Sequence, residues 1–357
     1  MTAPSGVLPI TASPSGTARR PQVVLLLLVA LLVMAFAAEL LMGTVAIAPA
    51  DVLALLMGRA DADDTGALIV RTVRLPRALT AALGGATLGG SGLLLQTLFR
   101  NRLAGPWILG VTGGARVGVA VWIVLVSLAG SFVPARLGIG GSIGVALAAG
   151  CGAAATLAFM AIAARRIGSV SLLILGLMLT FLAGGLTSVL LHLVPEDQGR
   201  VWEAWNDGNF GGVTWANLRI LAPLVLLGLG SALLLVKPLD AFQLGERYAE
   251  SMGVPVRRVR QIALCAVSAM AGAVTAFCGV VAFLDVAVPQ LARGLCRTSE
   301  HRVLLPAAML LGAAMALCAD LLTHLPGGNR ILHLNAIAAV IGAPVVIWIV
   351  FRRPDDG

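Results

Sequence analysis

The sequence predicts an all-α polytopic membrane protein with about ten transmembrane helices, and three features predict it. Of its 357 residues 59% are hydrophobic and 12% charged, with a mean hydropathy of +0.96, which is more apolar side chain than a soluble core accommodates. Windows of roughly 20 mainly apolar residues, the length that crosses a bilayer as a helix, recur along nearly the whole chain. The 42 glycines cluster inside those windows, as in GGATLGGSG from Gly84 to Gly92. There they let helix backbones approach closely or unwind along a transport pathway.

Taken in order, the chain opens on a Pro/Ser/Thr-rich stretch, residues 1–21, that reads as a disordered cytoplasmic tail. The apolar window 23–42 follows it without a small-residue cleavage site and reads as an anchor. The other windows are 75–98, 107–128, 141–163, 170–193, 215–236, 262–280, 281–295, 304–325 and 336–351, of which 281–295 is short for a full span. Residues 22–353 therefore form one transmembrane domain, followed by a tail at 354–357.

Cytoplasmic loops of membrane proteins carry the excess of Lys and Arg. With the N-terminus inside, ten spans put sixteen basic residues in the cytoplasm (Arg19, Arg20, Arg100, Arg102, Arg165, Arg166, Lys237, Arg247, Arg257, Arg258, Arg260, Arg293, Arg297, Arg302, Arg352 and Arg353). Eight fall outside (Arg59, Arg71, Arg74, Arg77, Arg136, Arg200, Arg219 and Arg330), and Arg116 lies within a span. The net charge of +8 is then a topology signal rather than a nucleic-acid surface, and both termini are expected in the cytoplasm.

Several chemistries are excluded or left without support. The single lysine, Lys237, sits before a proline in LLVKPLD, so there is no G-x-x-x-x-G-K-[ST] phosphate loop. Four histidines (His192, His301, His324 and His333) form no H-E-x-x-H, so an intramembrane enzyme lacks motif support. Cys151, Cys265, Cys278, Cys296 and Cys318 show no CxxC spacing and read as buried thiols. Ionisable groups that could couple ions within the membrane are Glu39, Arg116, Asp285 and Asp320.

One polar island interrupts the apolar chain: LDAFQLGERYAESMGVPVRRVR, residues 239–260. Asp240 reads as an N-terminal cap, Glu246 and Glu250 as exposed residues, and Gly253-Val254-Pro255 as the stop. Leu244, Tyr248 and Met252 fall at i, i+4 and i+8 on one helical face. Such a stripe on a cytoplasmic loop suits a partner's groove or, alternatively, the lipid surface.

Five stretches together resemble the permease subunits of type II ABC importers for iron-siderophores, haem and cobalamin. They are RLPRALTAALGGATLGGSGLLLQTLFRNRLAGPWILGVTGGARVG, WNDGNFGGVTW, the island itself, GVVAFLDVAVPQLARGLCRTSEHRVLLPAAMLLGAAMALCADLL, and VIGAPVVIWIV, spread over about residues 70–353. The resemblance implies a second permease copy, identical or related, and two cytoplasmic ATPases that hold ATP and magnesium. It also implies a periplasmic binding protein, residence in the bacterial inner membrane, and no cofactor or metal on this chain. Residues 239–254 match the coupling loop that docks on the ATPase, with Asp240, Leu244, Gly245, Glu246, Tyr248, Ala249, Met252 and Gly253 as its site residues. Arg74 and Arg77 match positions that contact acidic residues of the binding protein, and His324 stands where an arginine is often found. Gly85, Gly89, Gly92, Gln96, Gly176 and Thr180 are candidates for pathway lining or helix packing.

The sequence departs from the family pattern at Arg102, Asp285, Gln290, His324 and 331–335. Gln290 replaces a histidine and cannot titrate, so it carries no proton role. An Fe(III)-siderophore is the first expectation for cargo, with haem and cobalamin after it. A standalone secondary transporter or channel is the competing class, separated by whether an ATPase co-purifies.

Overall fold

In the computed structural model the described residues are 21–43, 45, 47–57, 65–129, 141–324 and 332–351. Both expected tails lie outside the described residues, apart from Pro21, as do Arg59, Arg136, Arg330 and Ile331. Among the described residues every regular element is a helix. In chain order these are α1 (Pro21–Leu41), α2 (Pro49–Leu56), α3 (Thr65–Ile69), a π-helical turn (Val70–Arg74), α4 (Leu75–Leu98), α5 (Val111–Ala129), α6 (Gly141–Ala163) and α7 (Ser169–Leu191). They continue with α8 (Glu196–Asn206), α9 (Trp215–Leu234), α10 (Val236–Gln243), α11 (Glu246–Ser251), α12 (Val256–Cys278), α13 (Leu284–Cys296), α14 (His301–Thr323) and α15 (Leu334–Phe351).

The ten apolar windows fall on ten of these helices. Eight spans among the described residues are long and apolar enough to cross a membrane: α1, the continuous run Thr65–Leu98, α5, α6, α7, α9, α12 and α14. The window that reads as short is α13, with 13 residues. At 1.5 Å per residue it reaches about 20 Å, less than the roughly 30 Å of a hydrocarbon core.

Helix α4 is the centre. Its membrane window is 78% buried, against 28% for α1, α6 and α7, so those three form the rim. The reason is its glycines. A β-carbon on Gly85 would overlap the carbonyl oxygen of Gly312, and one on Gly89 that of Ala308, so α4 and α14 cross in backbone contact. Gly92 lies equally close to the Asp285 carbonyl of α13, and Gly176 of α7 to that of Ile108. These four candidates are therefore helix-packing glycines in this structure.

The start of α4 is set by Pro76. Proline has no N–H to donate to the carbonyl four residues back and its ring crowds that carbonyl. The turn before it widens to a π-helix in which the Leu75 N–H reaches Val70. At the other irregular junction, between α12 and α13, the backbone runs through positive φ at Gly279 and Phe283. Asn335 completes the hydrogen bonding there: its amide nitrogen donates to Val280 O (2.7 Å) and its oxygen accepts from Ala282 N (3.0 Å). Non-helical backbone among apolar helices needs this kind of internal satisfaction.

The cysteines depart from expectation. Cys278 and Cys296 are buried, but Cys151, Cys265 and Cys318 are exposed on the chain's surface, and all five are free. A weakly polar thiol loses little on an outward face of a helix surrounded by lipid.

Candidate functional site

The expected docking and coupling residues lie at opposite ends of α4, about 36 Å apart for its 24 residues, whereas Gly85 and Gly89 lie along its middle and Gly176 and Thr180 on α7.

At the Arg77 end the π turn swings both arginines toward the chain itself. Arg74 is buried and donates to Leu40 O (2.7 Å), Leu41 O (3.0 Å) and Val45 O. The carbonyls left open at the C-terminus of α1 thereby gain a cationic partner. Arg77 makes a two-pronged pair with Asp320, Nε to Oδ2 at 2.6 Å and Nη2 to Oδ1 at 2.9 Å, and Nη2 also reaches Thr323 Oγ1 at 3.1 Å. Glu39 Oε1 lies 3.7 Å from Arg77 Nε and 3.3 Å from His324 Nε2.

The donor inventory fixes the His324 tautomer. A guanidinium can only donate, so His324 Nδ1, 2.9 Å from Arg77 Nη2, is the acceptor and Nε2–H points to Glu39. Two carboxylates, one guanidinium and one imidazole are thus tied together from α1, α4 and α14. Glu39 Oε2 is buried without a partner. Glu39, Asp320 and His324 stand close enough to hold a cation, but Arg77 already occupies their centre with its own positive charge. The structure brings Arg77 and His324 together and sets Arg74 beside them. All three face groups of their own chain.

At the other end lies the polar island. It is two short helices rather than one. Gly245 at φ +108° breaks the path between α10 and α11, and Gly253 at φ +81° ends α11 as the sequence predicts. Leu239, Phe242 and Ala249 anchor the segment in the core, each fully buried. Leu244, Tyr248 and Met252 remain 62%, 53% and 59% exposed in the single chain, but the break at Gly245 leaves Leu244 and Met252 at the ends of the two short helices, so the three form an exposed apolar patch rather than the predicted face of one helix. A groove of about 1100 Å³ runs beside it between Phe99, Arg100, Val170 and Tyr248. Glu246 is not a free surface charge, because Arg260 Nη2 holds it at 2.6 Å.

Asp240 caps a helix, but not its own. α10 already begins at Val236, and the Asp240 carboxylate instead accepts from the His301 backbone N–H (2.9 Å) at the start of α14. The same oxygen meets His301 Nδ1 at 2.7 Å. His301 is buried, and its Nε2 lies 2.8 Å from Thr97 Oγ1 of α4. One imidazole therefore joins the island to α4 and α14. Sequence reading passed over His301 because its partners are distant in sequence; its place just before a long apolar run, with no side-chain cap of its own, was the available signal.

Gln96, buried one turn from Arg100, accepts from Gln290 Nε2 (3.2 Å) and Arg293 Nη1 (2.5 Å), so the glutamine at 290 serves a hydrogen-bond network. Thr180 Oγ1 donates within its own helix to Gly176 O (3.0 Å) and lies 3.1 Å from Trp107 O.

A rim of outward-facing apolar helices around a glycine-packed central helix defines an all-α multi-pass membrane protein. The chain belongs to the FecCD transport family, whose sequence model matches residues 30–352. It is 33% identical over 293 residues to the vitamin B12 import system permease protein BtuC of Klebsiella pneumoniae, covering 82% of this chain and 85% of that one. A protein described as an ABC transporter permease in Methanocaldococcus jannaschii is 29% identical over 343 residues, covering 92% and 96%. Among solved structures, an inward-facing protein described as a metal-chelate type ABC transporter superposes with a TM-score of 0.79 at 26% identity, covering 93% of this chain and all of that one. The chain is accordingly the permease of an ABC importer, a transport component.

Proposed function

We propose that this chain forms the translocation pathway for a bulky metal chelate, with a second permease copy across from it. In this reading a periplasmic binding protein delivers the cargo and two cytoplasmic ATPases, holding ATP and magnesium, drive alternating access across the bacterial inner membrane. The observation that carries it is the uncovered stripe Leu244, Tyr248 and Met252, held on a segment that His301 ties to α4 and α14. Motion imposed on that stripe has a hydrogen-bonded route into the spanning helices.

Within the metal-chelate class two cargo readings stand. An Fe(III)-siderophore is the one the sequence resemblance puts first; the likeness to vitamin B12 permeases favours a corrinoid. Arg74, Arg77 and His324, at the end of α4 away from the stripe, are the docking residues for the binding protein in this proposal. Arg77 would then exchange Asp320 for a carboxylate of the binding protein, a charge-assisted contact of the same geometry.

The test is reconstitution in liposomes with candidate ATPases and binding protein, followed by uptake of Fe(III)-siderophores, haem and cobalamin. ATP-dependent accumulation of one chelate is the expected result. Uptake that proceeds without any ATPase, driven by an ion gradient, would overturn the reading.

A further inference from the structure

The sixteen basic residues that set the topology do not spread evenly over their face. Four arginines, Arg100, Arg102, Arg293 and Arg297, line one cavity of about 760 Å³ together with Gln96, Gln243, Thr298 and His301, and among the described residues no acidic side chain lines it. Arg293 is engaged with Gln96 Oε1 (2.5 Å), whereas the side chains of Arg100, Arg102 and Arg297 have no carboxylate partner among the described residues and are exposed. The backbone adds an independent observation. Among the described residues only three non-glycine residues adopt positive φ, and two of them are Arg100 (φ 48°) and Arg297 (φ 47°). Each stands just past a helix end, after α4 and after α13, where glycine is the residue that takes this conformation without strain. Accepting a disfavoured backbone at two sites so that two guanidiniums face one cavity is the pattern of a binding surface rather than of a stable helix end.

The occupant follows from continuity. Gln243 of α10 lines this cavity, and Arg100 lines both it and the groove beside Tyr248. The basic cavity is therefore an extension of the surface that carries the stripe. We infer that it receives carboxylate side chains of the partner ATPase, seated beside the groove that takes the apolar stripe. The apolar contact supplies burial, and the arginines fix register and speed encounter. This rests on the coupling reading of the segment 239–254.

The experiment uses the full-length permease in nanodiscs and titrates in the ATPase over a series of KCl concentrations. The double variant Arg100→Gly/Arg297→Gly is expected to bind about tenfold more weakly at low salt and with a shallower KCl dependence, because fewer charge contacts remain to be screened. Its thermal unfolding midpoint should equal or exceed that of the wild type, since glycine relieves both backbone positions. Binding and KCl dependence equal to wild type would overturn the inference, and so would a lowered midpoint, which would make the arginines structural. Running the titration in phosphatidylcholine and in phosphatidylglycerol discs separates a lipid source: a loss confined to anionic discs assigns the cavity to a lipid phosphate and overturns it as well. Tyr248→Asp is the companion variant. If Tyr248→Asp binds normally the coupling reading fails, whereas if only the arginine variant does, the cavity assignment alone fails.

Discussion

The two ends of α4 carry the same residue type in opposite roles. At one end Arg74 and Arg77 turn inward and spend their donors on Leu40, Leu41, Asp320 and Thr323. At the other, Arg100 and Arg102 are exposed on one cavity, Arg100 also lines the groove beside Tyr248, and neither has a carboxylate partner among the described residues. The difference lies in what the surrounding helices offer. α1 and α14 bring the carboxyl groups of Glu39 and Asp320 to the first end, where they surround the Arg77 guanidinium. Around the cavity at the second end no acidic side chain of the described residues lines the wall. Arginine count alone, which sets orientation, does not separate a cation held by acceptors of its own chain from one without a carboxylate beside it.

Four variants break or sharpen this contrast. The largest effect belongs to Arg77→Ala, which leaves Asp320 and Glu39 buried without their cation and should cost about 3–5 kcal/mol of stability, read as a lowered unfolding midpoint in detergent. Loss of less than about 1 kcal/mol would show that the cluster is already wet. Next comes Tyr248→Asp at the opposite end. Folding and membrane insertion should persist while ATPase association weakens roughly 5- to 150-fold, the equivalent of about 1–3 kcal/mol for one interface anchor.

Asp240→Ala tests the tie of the island to α14 at the second end. It removes the cap of α14 and one partner of His301, for an expected loss of about 0.5–2 kcal/mol. Hydrogen exchange should rise first in α10 and in the opening turn of α14, and exchange confined to α10 would argue against the shared tie. The smallest change is Arg102→Ala, expected within about 0.5 kcal/mol of wild type in the isolated chain. A large destabilisation there would erase the distinction between the two ends.

Much of this was legible in the sequence. The window 75–98 coincides with α4, and 141–163 with α6, because helix ends in a membrane follow hydropathy and proline closely. Gly253 was readable as a stop because its left-handed conformation is a local property. What escaped were partnerships across the chain. Arg77 and Asp320 are 243 positions apart and Asp240 and His301 61 apart, and neither periodicity nor capping rules reach that far. Glu39 and Asp320 were nonetheless visible as acids at the ends of apolar windows, and matching each to a basic residue expected at the same depth would have pointed to Arg77. The helical spacing of Leu244, Tyr248 and Met252 carries one helix through Gly245. Its φ of +108° instead divides the island in two, a tertiary outcome fixed by the burial of Phe242 on one side and Ala249 on the other.

The backbone contact at Gly85 and Gly312 has a mechanical corollary. With Arg77 gripping Asp320 at one end, Thr97 meeting His301 at the other, and main chain against main chain between them, α4 and α14 form a double-walled strut with no slack along its length. A strut transmits displacement but does not absorb it. Displacement at the island end is therefore carried along the pair to the Arg77 end rather than taken up by bending of α4 or α14.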